Sequence, residues 1–198
     1  MLDTTYSRPG VDWVDTVDLL PGTPGTVQTL KAMAELVRRD AQNPEVRDEA
    51  LAIVAGVPGH DFRGEIDNCF HFVQHHITYR RDPVEQERVQ DTLRTIKVFP
   101  TADCDDKCVC LASLLGSLGH KCRFKVIGKN PSHYSHVYLE VLDKKRGWLP
   151  LDPTPEQAPS GWEARGYHAA VYEIYPPETD YLPIVLGGLG LLAWWVLR

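Results

Sequence analysis

The segment from Asp103 to Gly119 constrains this chain more than any other. Cys104, Cys108, Leu111, Leu115 and Leu118 recur at helical spacing, and Gly119 stands where a helix closed by left-handed backbone places its glycine. Three runs follow in which apolar and polar residues alternate. Cys122, Phe124 and Val126 alternate with Arg123 and Lys125. Val137, Leu139 and Val141 alternate with His136, Tyr138 and Glu140, and Leu149 and Leu151 with Trp148, Pro150 and Asp152. A period of two marks strands with one face toward a core. With more helices upstream, the pattern predicts an α+β domain in which this helix packs on an antiparallel sheet.

Upstream, Val27, Leu30, Ala34 and Val37 share one face of a helix predicted over 26–41. Asn43-Pro44-Glu45 then supplies a cap, a first-turn proline and an acid for a second helix ending near Val57. After Asp61, another cap, Ile66, Cys69, Phe70, Val73 and Ile77 form an amphipathic helix. Ile77 to Arg80 reads as a short strand, and Asp82 to Asp91 as a surface loop or short exposed helix. Residues 1–22, with Pro9-Gly10 and Pro21-Gly22 as breakers, read as an irregular arm. Residues 153–166 read as a wrapping loop, and 167–175 as a further strand. The domain is thus expected over 23–175, followed by a linker at 176–180 and a hydrophobic tail at 181–198.

The chain has 198 residues, of which 43% are apolar, and a formal charge of −6. That length builds a sizeable core without staples, and the acidic balance argues against a nucleic-acid partner, which needs a basic face. The five cysteines are an odd number, and Met1-Leu2-Asp3-Thr4 has no secretory pattern, so a reduced, intracellular chain is expected. The C-x3-C-x-C spacing at Cys104, Cys108 and Cys110 lacks the paired C-x2-C of a structural zinc site. No metal and no cofactor are expected. From Leu182 to Leu197 the chain is uncharged, with Trp194-Trp195 near one end and Arg198 after it. This is a borderline span for a bilayer of the usual thickness. Residues 182–197 are expected to anchor the protein to a membrane, to a structural protein, or to further copies of itself through Gly187, Gly188 and Gly190.

Cys104 falls in the first turn of the most strongly patterned helix, where unsatisfied N–H groups and the macrodipole favour a thiolate. A cysteine nucleophile ordinarily works with an imidazole oriented by a carboxylate or amide. If residues 135–142 and 148–152 form a hairpin, His136 and Asp152 share the face opposite Val137, Leu139 and Val141. They are directly opposed with a three-residue loop and diagonal with a five-residue one, their Cβ atoms about 5–8 Å apart. Asp103 reads as the helix cap, without a catalytic role. Asp103, Asp105 and Asp106 would together raise the thiol pKa and make the imidazole the more necessary. Cys69, Cys108, Cys110 and Cys122 read as core thiols.

At these residues the chain resembles the transglutaminase-like superfamily of papain-like cysteine enzymes. The resemblance runs through Ala102-Asp103-Cys104-Asp105-Asp106-Lys107, the leucine-rich helix to Gly119-His120, Arg123-Phe124, Ser135-His136-Val137-Tyr138 and Trp148-Leu149-Pro150-Leu151-Asp152-Pro153-Thr154. Ile77-Thr78-Tyr79-Arg80-Arg81-Asp82-Pro83 extends it upstream. Phe62-Arg63-Gly64-Glu65-Ile66 and Ser160-Gly161-Trp162 resemble phage- and prophage-encoded members in particular. Ala102 stands where the family commonly has glycine. The resemblance implies a Cys104-His136-Asp152 triad acting on a protein or peptide substrate. Cys104 attacks an acyl carbonyl, His136 moves the proton, Asp152 orients the ring, and the N–H of Cys104 faces the oxyanion. Water resolves the thioester in a protease or amidase and an amine does so in a transamidase. The alternative implied is an inactive member serving in the structure or assembly of a phage virion.

Overall fold

A computed structural model describes residues 2–6, 16–19, 23–81, 86–130, 132–165 and 167–175. Strands β1 (Leu2–Tyr6) and β2 (Thr16–Leu19) precede helices α1 (Thr23–Asp40), α2 (Pro44–Ile53) and α3 (Phe62–His76). Strands β3 (Thr78–Tyr79) and β4 (Gln86–Val89), a π-helical turn at Arg94–Val98 and strand β5 (Thr101–Ala102) lead into helix α4 (Cys104–Ser117). Strands β6 (Cys122–Gly128), β7 (His136–Asp143), β8 (Gly147–Leu151) and β9 (His168–Glu173) complete the order. The architecture is α+β, with the four-stranded antiparallel sheet ordered β8-β7-β6-β9.

Local chemistry sets the helix ends. Asn43 Oδ1 accepts the Glu45 N–H at 2.9 Å ahead of Pro44, and Asp61 Oδ1 accepts the Gly64 N–H at 3.0 Å. α2 stops at Ile53 rather than near Val57; residues 54–56 form turns, and Pro58 disfavours helical backbone only at Val57. α4 closes in a Schellman motif. The N–H of His120 bonds the Leu115 carbonyl and that of Gly119 the Gly116 carbonyl, each at 3.0 Å, with Gly119 at φ +92°.

α4 is the centre of the fold. It packs against α1, α2 and α3 on one side and against β7 and β6 on the other. Cys108, Val109, Cys110 and Leu111 are all fully buried. Four consecutive residues cover nearly the whole circumference of a helix, so α4 has no solvated face, unlike the one-sided pattern suggested by Cys104, Cys108, Leu111, Leu115 and Leu118. In α1, Leu30, Ala34 and Val37 are buried, while Val27 is exposed near the helix start.

Two expectations are corrected. The stretch 1–22 is not irregular throughout, since β1 and β2 pair in antiparallel fashion within it. The segment 82–91 contains a strand rather than only a loop or helix, as β4 pairs in parallel with β1. Pairing between such distant segments leaves no local periodicity to read. Residues 176–198, with the expected linker and anchoring tail, lie outside the described residues. Among the described residues no helix is long and apolar enough to cross a membrane.

Candidate active site

The β7–β8 hairpin pairs as its alternation predicts, but β7 is buried on both faces, since Tyr138 and Glu140 are buried along with Val137, Leu139 and Val141. Leu139 pairs with Leu151 and Val141 with Leu149, and all but Leu149 are fully buried. Continued by one step, this register sets Asp152 opposite Tyr138 and His136 diagonally from Asp152. Although only 144–146 form the turn, with Asp143 paired to Gly147, the diagonal arrangement is the one adopted. It suffices, since His136 Nε2 and Asp152 Oδ2 stand 2.8 Å apart. Asp152 is buried and His136 half-buried. The other Asp152 oxygen accepts the Thr154 N–H at 3.0 Å, which fixes the carboxylate from both ends.

Cys104 opens α4, half-buried. Asp103 caps the helix, its Oδ1 accepting the N–H groups of Asp105 at 3.0 Å and Asp106 at 3.3 Å. The thiol donates to Asp105 Oδ1 at 3.3 Å. Burial, then the charges of Asp105 and Asp103, push the Cys104 pKa well above its ordinary value, while the Val137 N–H pulls it down. One turn on, Cys108 Sγ donates to the Val137 carbonyl at 3.6 Å. α4 and the start of β7 are thus held together at the nucleophile end.

Ala102 requires no glycine. It lies buried in β5, where Arg80 donates its N–H to the Ala102 carbonyl at 2.8 Å. Among the described non-glycine residues, positive φ occurs only at His60.

The acids beside Cys104 are not a solvated cluster. Asp106 is buried, its Oδ1 accepting the Gln90 N–H at 2.6 Å and its Oδ2 the Gln90 side-chain amide at 2.8 Å. Asp103, Cys104 and Asp105 bring their ligand atoms within 4.8 Å of one another, as capping and the thiol contact require. The other four cysteines are unbridged and buried, as core thiols should be.

Lys107 and Gln74 were not legible as parts of this region. Lys107 is only 1% exposed, and its ammonium donates to the carbonyls of Val73 and Gln74 at 3.3 Å each and of Pro153 at 3.2 Å. Burial pulls its pKa down, and Asp152 is among the groups pulling it back up. Gln74 donates to the Pro155 and Ala158 carbonyls at 2.7 and 2.8 Å. One signal was available for Lys107, because Val109, Cys110, Ala112 and Leu114 make the helix apolar on every side and leave a lysine no solvated face.

The family model for the transglutaminase-like superfamily matches residues 52–153, just over half the chain. The chain belongs to the transglutaminase-like superfamily. The matched stretch contains Cys104, His136 and Asp152. No curated protein matches this transglutaminase-like chain by sequence. Three solved structures are similar to it. One is a candidate protease from Parabacteroides distasonis, 11% identical over 79% of this chain and 32% of that one, with a TM-score of 0.49. Another is the periplasmic domain of TgpA from Pseudomonas aeruginosa bound to ethylmercury, 16% identical over 63% and 50%, with a TM-score of 0.43. The third is a candidate cysteine protease from Cytophaga hutchinsonii, 12% identical over 90% and 63%, with a TM-score of 0.46. This chain therefore spans a third to somewhat under two thirds of the structures it resembles.

Proposed function

We propose that this transglutaminase-like protein is a cysteine hydrolase, a protease or amidase, working through a Cys104-His136-Asp152 triad and a thioester acyl-enzyme. The observation that carries the reading is the 2.8 Å contact of His136 Nε2 with the Asp152 carboxylate. A carboxylate only accepts, so Nε2 bears the proton and Nδ1 presents a lone pair to take the proton of Cys104. Sγ then bonds to the acyl carbon, with the Cys104 N–H at the start of α4 facing the oxyanion. His136 returns the proton to the leaving amine, and water opens the thioester. Because burial and two acids hold Cys104 as a thiol, deprotonation belongs to the attack itself, with His136 as general base rather than as one half of a standing ion pair. The substrate class is a protein or peptide, and transamidation differs only in an amine replacing water.

The same protonated thiol favours a second reading, in which the fold is kept and the reaction lost. Iodoacetamide labelling separates the two. On the hydrolase reading Cys104 is alkylated faster than Cys108 or Cys122, and His136→Ala slows it roughly tenfold or more. If alkylation of Cys104 ignores His136→Ala, the hydrolase reading fails, because a half-buried thiol outpaces the buried ones on either reading.

A further inference from the structure

We infer that Lys107, with Gln74, is a positioning residue that sets the Asp152 carboxylate against His136. The inference rests on the triad reading above. Lys107 lies one helical turn after Cys104, yet its ammonium does not reach solvent. It crosses the core to the Val73 and Gln74 carbonyls in the last turn of α3, and to the carbonyl of Pro153, the residue after Asp152. A single cation thus ties three pieces of chain, the start of the nucleophile helix, the end of α3 and the peptide that follows Asp152. Gln74 extends the tie two and five residues further, to Pro155 and Ala158.

The placement of this charge is informative. A buried ammonium is costly unless its donors are used, and the three acceptors it meets are neutral carbonyls in place of the carboxylate that an ordinary structural ion pair would supply. Carbonyls hold backbone, and the backbone held here is that of the turn 152–158. With β8 ending at Leu151, Asp152 is outside the sheet ladder. Its carboxylate direction therefore depends on the Thr154 N–H and on whatever fixes Pro153. Lys107 and Cys104 share the rigid first turns of α4, so the same helix that presents the thiol sets the orienting acid.

A double-mutant cycle tests this in the full chain, with iodoacetamide as the probe of Cys104 at a temperature where each variant is folded by circular dichroism. In the wild type, His136→Ala slows alkylation. In the Lys107→Met background the same substitution is expected to change the rate less than twofold, because an unoriented imidazole no longer assists. The NMR signal of the ring proton shared by His136 and Asp152 is expected to broaden beyond detection in Lys107→Met. A purely structural lysine would lower the melting temperature but leave both the His136 effect and that signal unchanged, and that result would overturn the inference. Should Lys107→Met not fold, Gln74→Met in the same cycle decides, with at least a twofold loss of the His136 effect expected and an undiminished effect overturning it. If His136→Ala is already silent in the wild type, the triad reading fails instead.

Discussion

The Cys104 thiol donates to the Asp105 carboxylate at 3.3 Å, and these are consecutive residues of the first turn of α4. The charge that helps the helix start by facing its positive end is the charge that disfavours the thiolate beside it. Alkylation of Cys104 is therefore expected to keep rising with pH beyond about 8.5, the ordinary thiol value. Asp105→Asn removes the nearest negative charge, lowers the thiol pKa, and is expected to speed alkylation at pH 7.5 by up to about tenfold per pKa unit recovered. An unchanged or slower rate in Asp105→Asn would contradict this electrostatic account.

Asp103 combines two effects that substitutions can separate. Asparagine caps a helix about as well as aspartate, whereas alanine costs about 1 kcal/mol. Asp103→Asn is expected to match the wild type in urea denaturation, and Asp103→Ala to lose about that amount. Both remove a charge that raises the Cys104 pKa, so both should alkylate faster at neutral pH while folded. Equal destabilisation by the two would mean that the carboxylate matters to α4 for its charge and not for its two hydrogen bonds.

Gly128 ends β6 under the loop that delivers His136. A Cβ there would lie 2.1 Å from the His133 carbonyl oxygen and 2.9 Å from the Tyr134 Cα, while the Ser135 N–H bonds the Ile127 carbonyl at 2.9 Å. Gly128→Ala must push this backbone away, and a destabilisation of roughly 1–3 kcal/mol is expected, with slower His136-dependent alkylation. A variant as stable as the wild type would show that the loop yields without cost.

The buried thiols make stability depend on alkaline pH. Burial, with a smaller push from Glu65, raises the Cys69 thiol to about 12, and burial also raises Cys108, Cys110 and Cys122. In the unfolded chain these groups lose their protons near 8.5. The unfolded state thus sheds protons that the folded state retains, and stability, intact below about pH 8.5, falls as pH rises toward 12. Cys69 alone accounts for about 2 kcal/mol by pH 10. Urea denaturation at pH 8 and pH 10 should show this loss, and a smaller one in Cys69→Ala. Equal stability at the two pH values would refute it.

Periodicity and local chemistry made much of this protein legible. The caps at Asn43 and Asp61, the helix from Cys104 to its Gly119 stop, and the alternation that puts His136 and Asp152 on one face all depend on residues close in sequence. They follow from dihedral preferences and side-chain direction alone. Tertiary structure decided what depends on remote partners. β1 and β4 are strands because segments some eighty residues apart pair. Asp106 is buried because Gln90 meets it, and Lys107 turns inward because α3 and Pro153 offer carbonyls there. Apolar neighbours on every side of α4 mark Lys107 as lacking a solvated face, but they do not say which acceptors will satisfy it. Only the packing of the surrounding elements, by excluding water and supplying those acceptors, settles the choice.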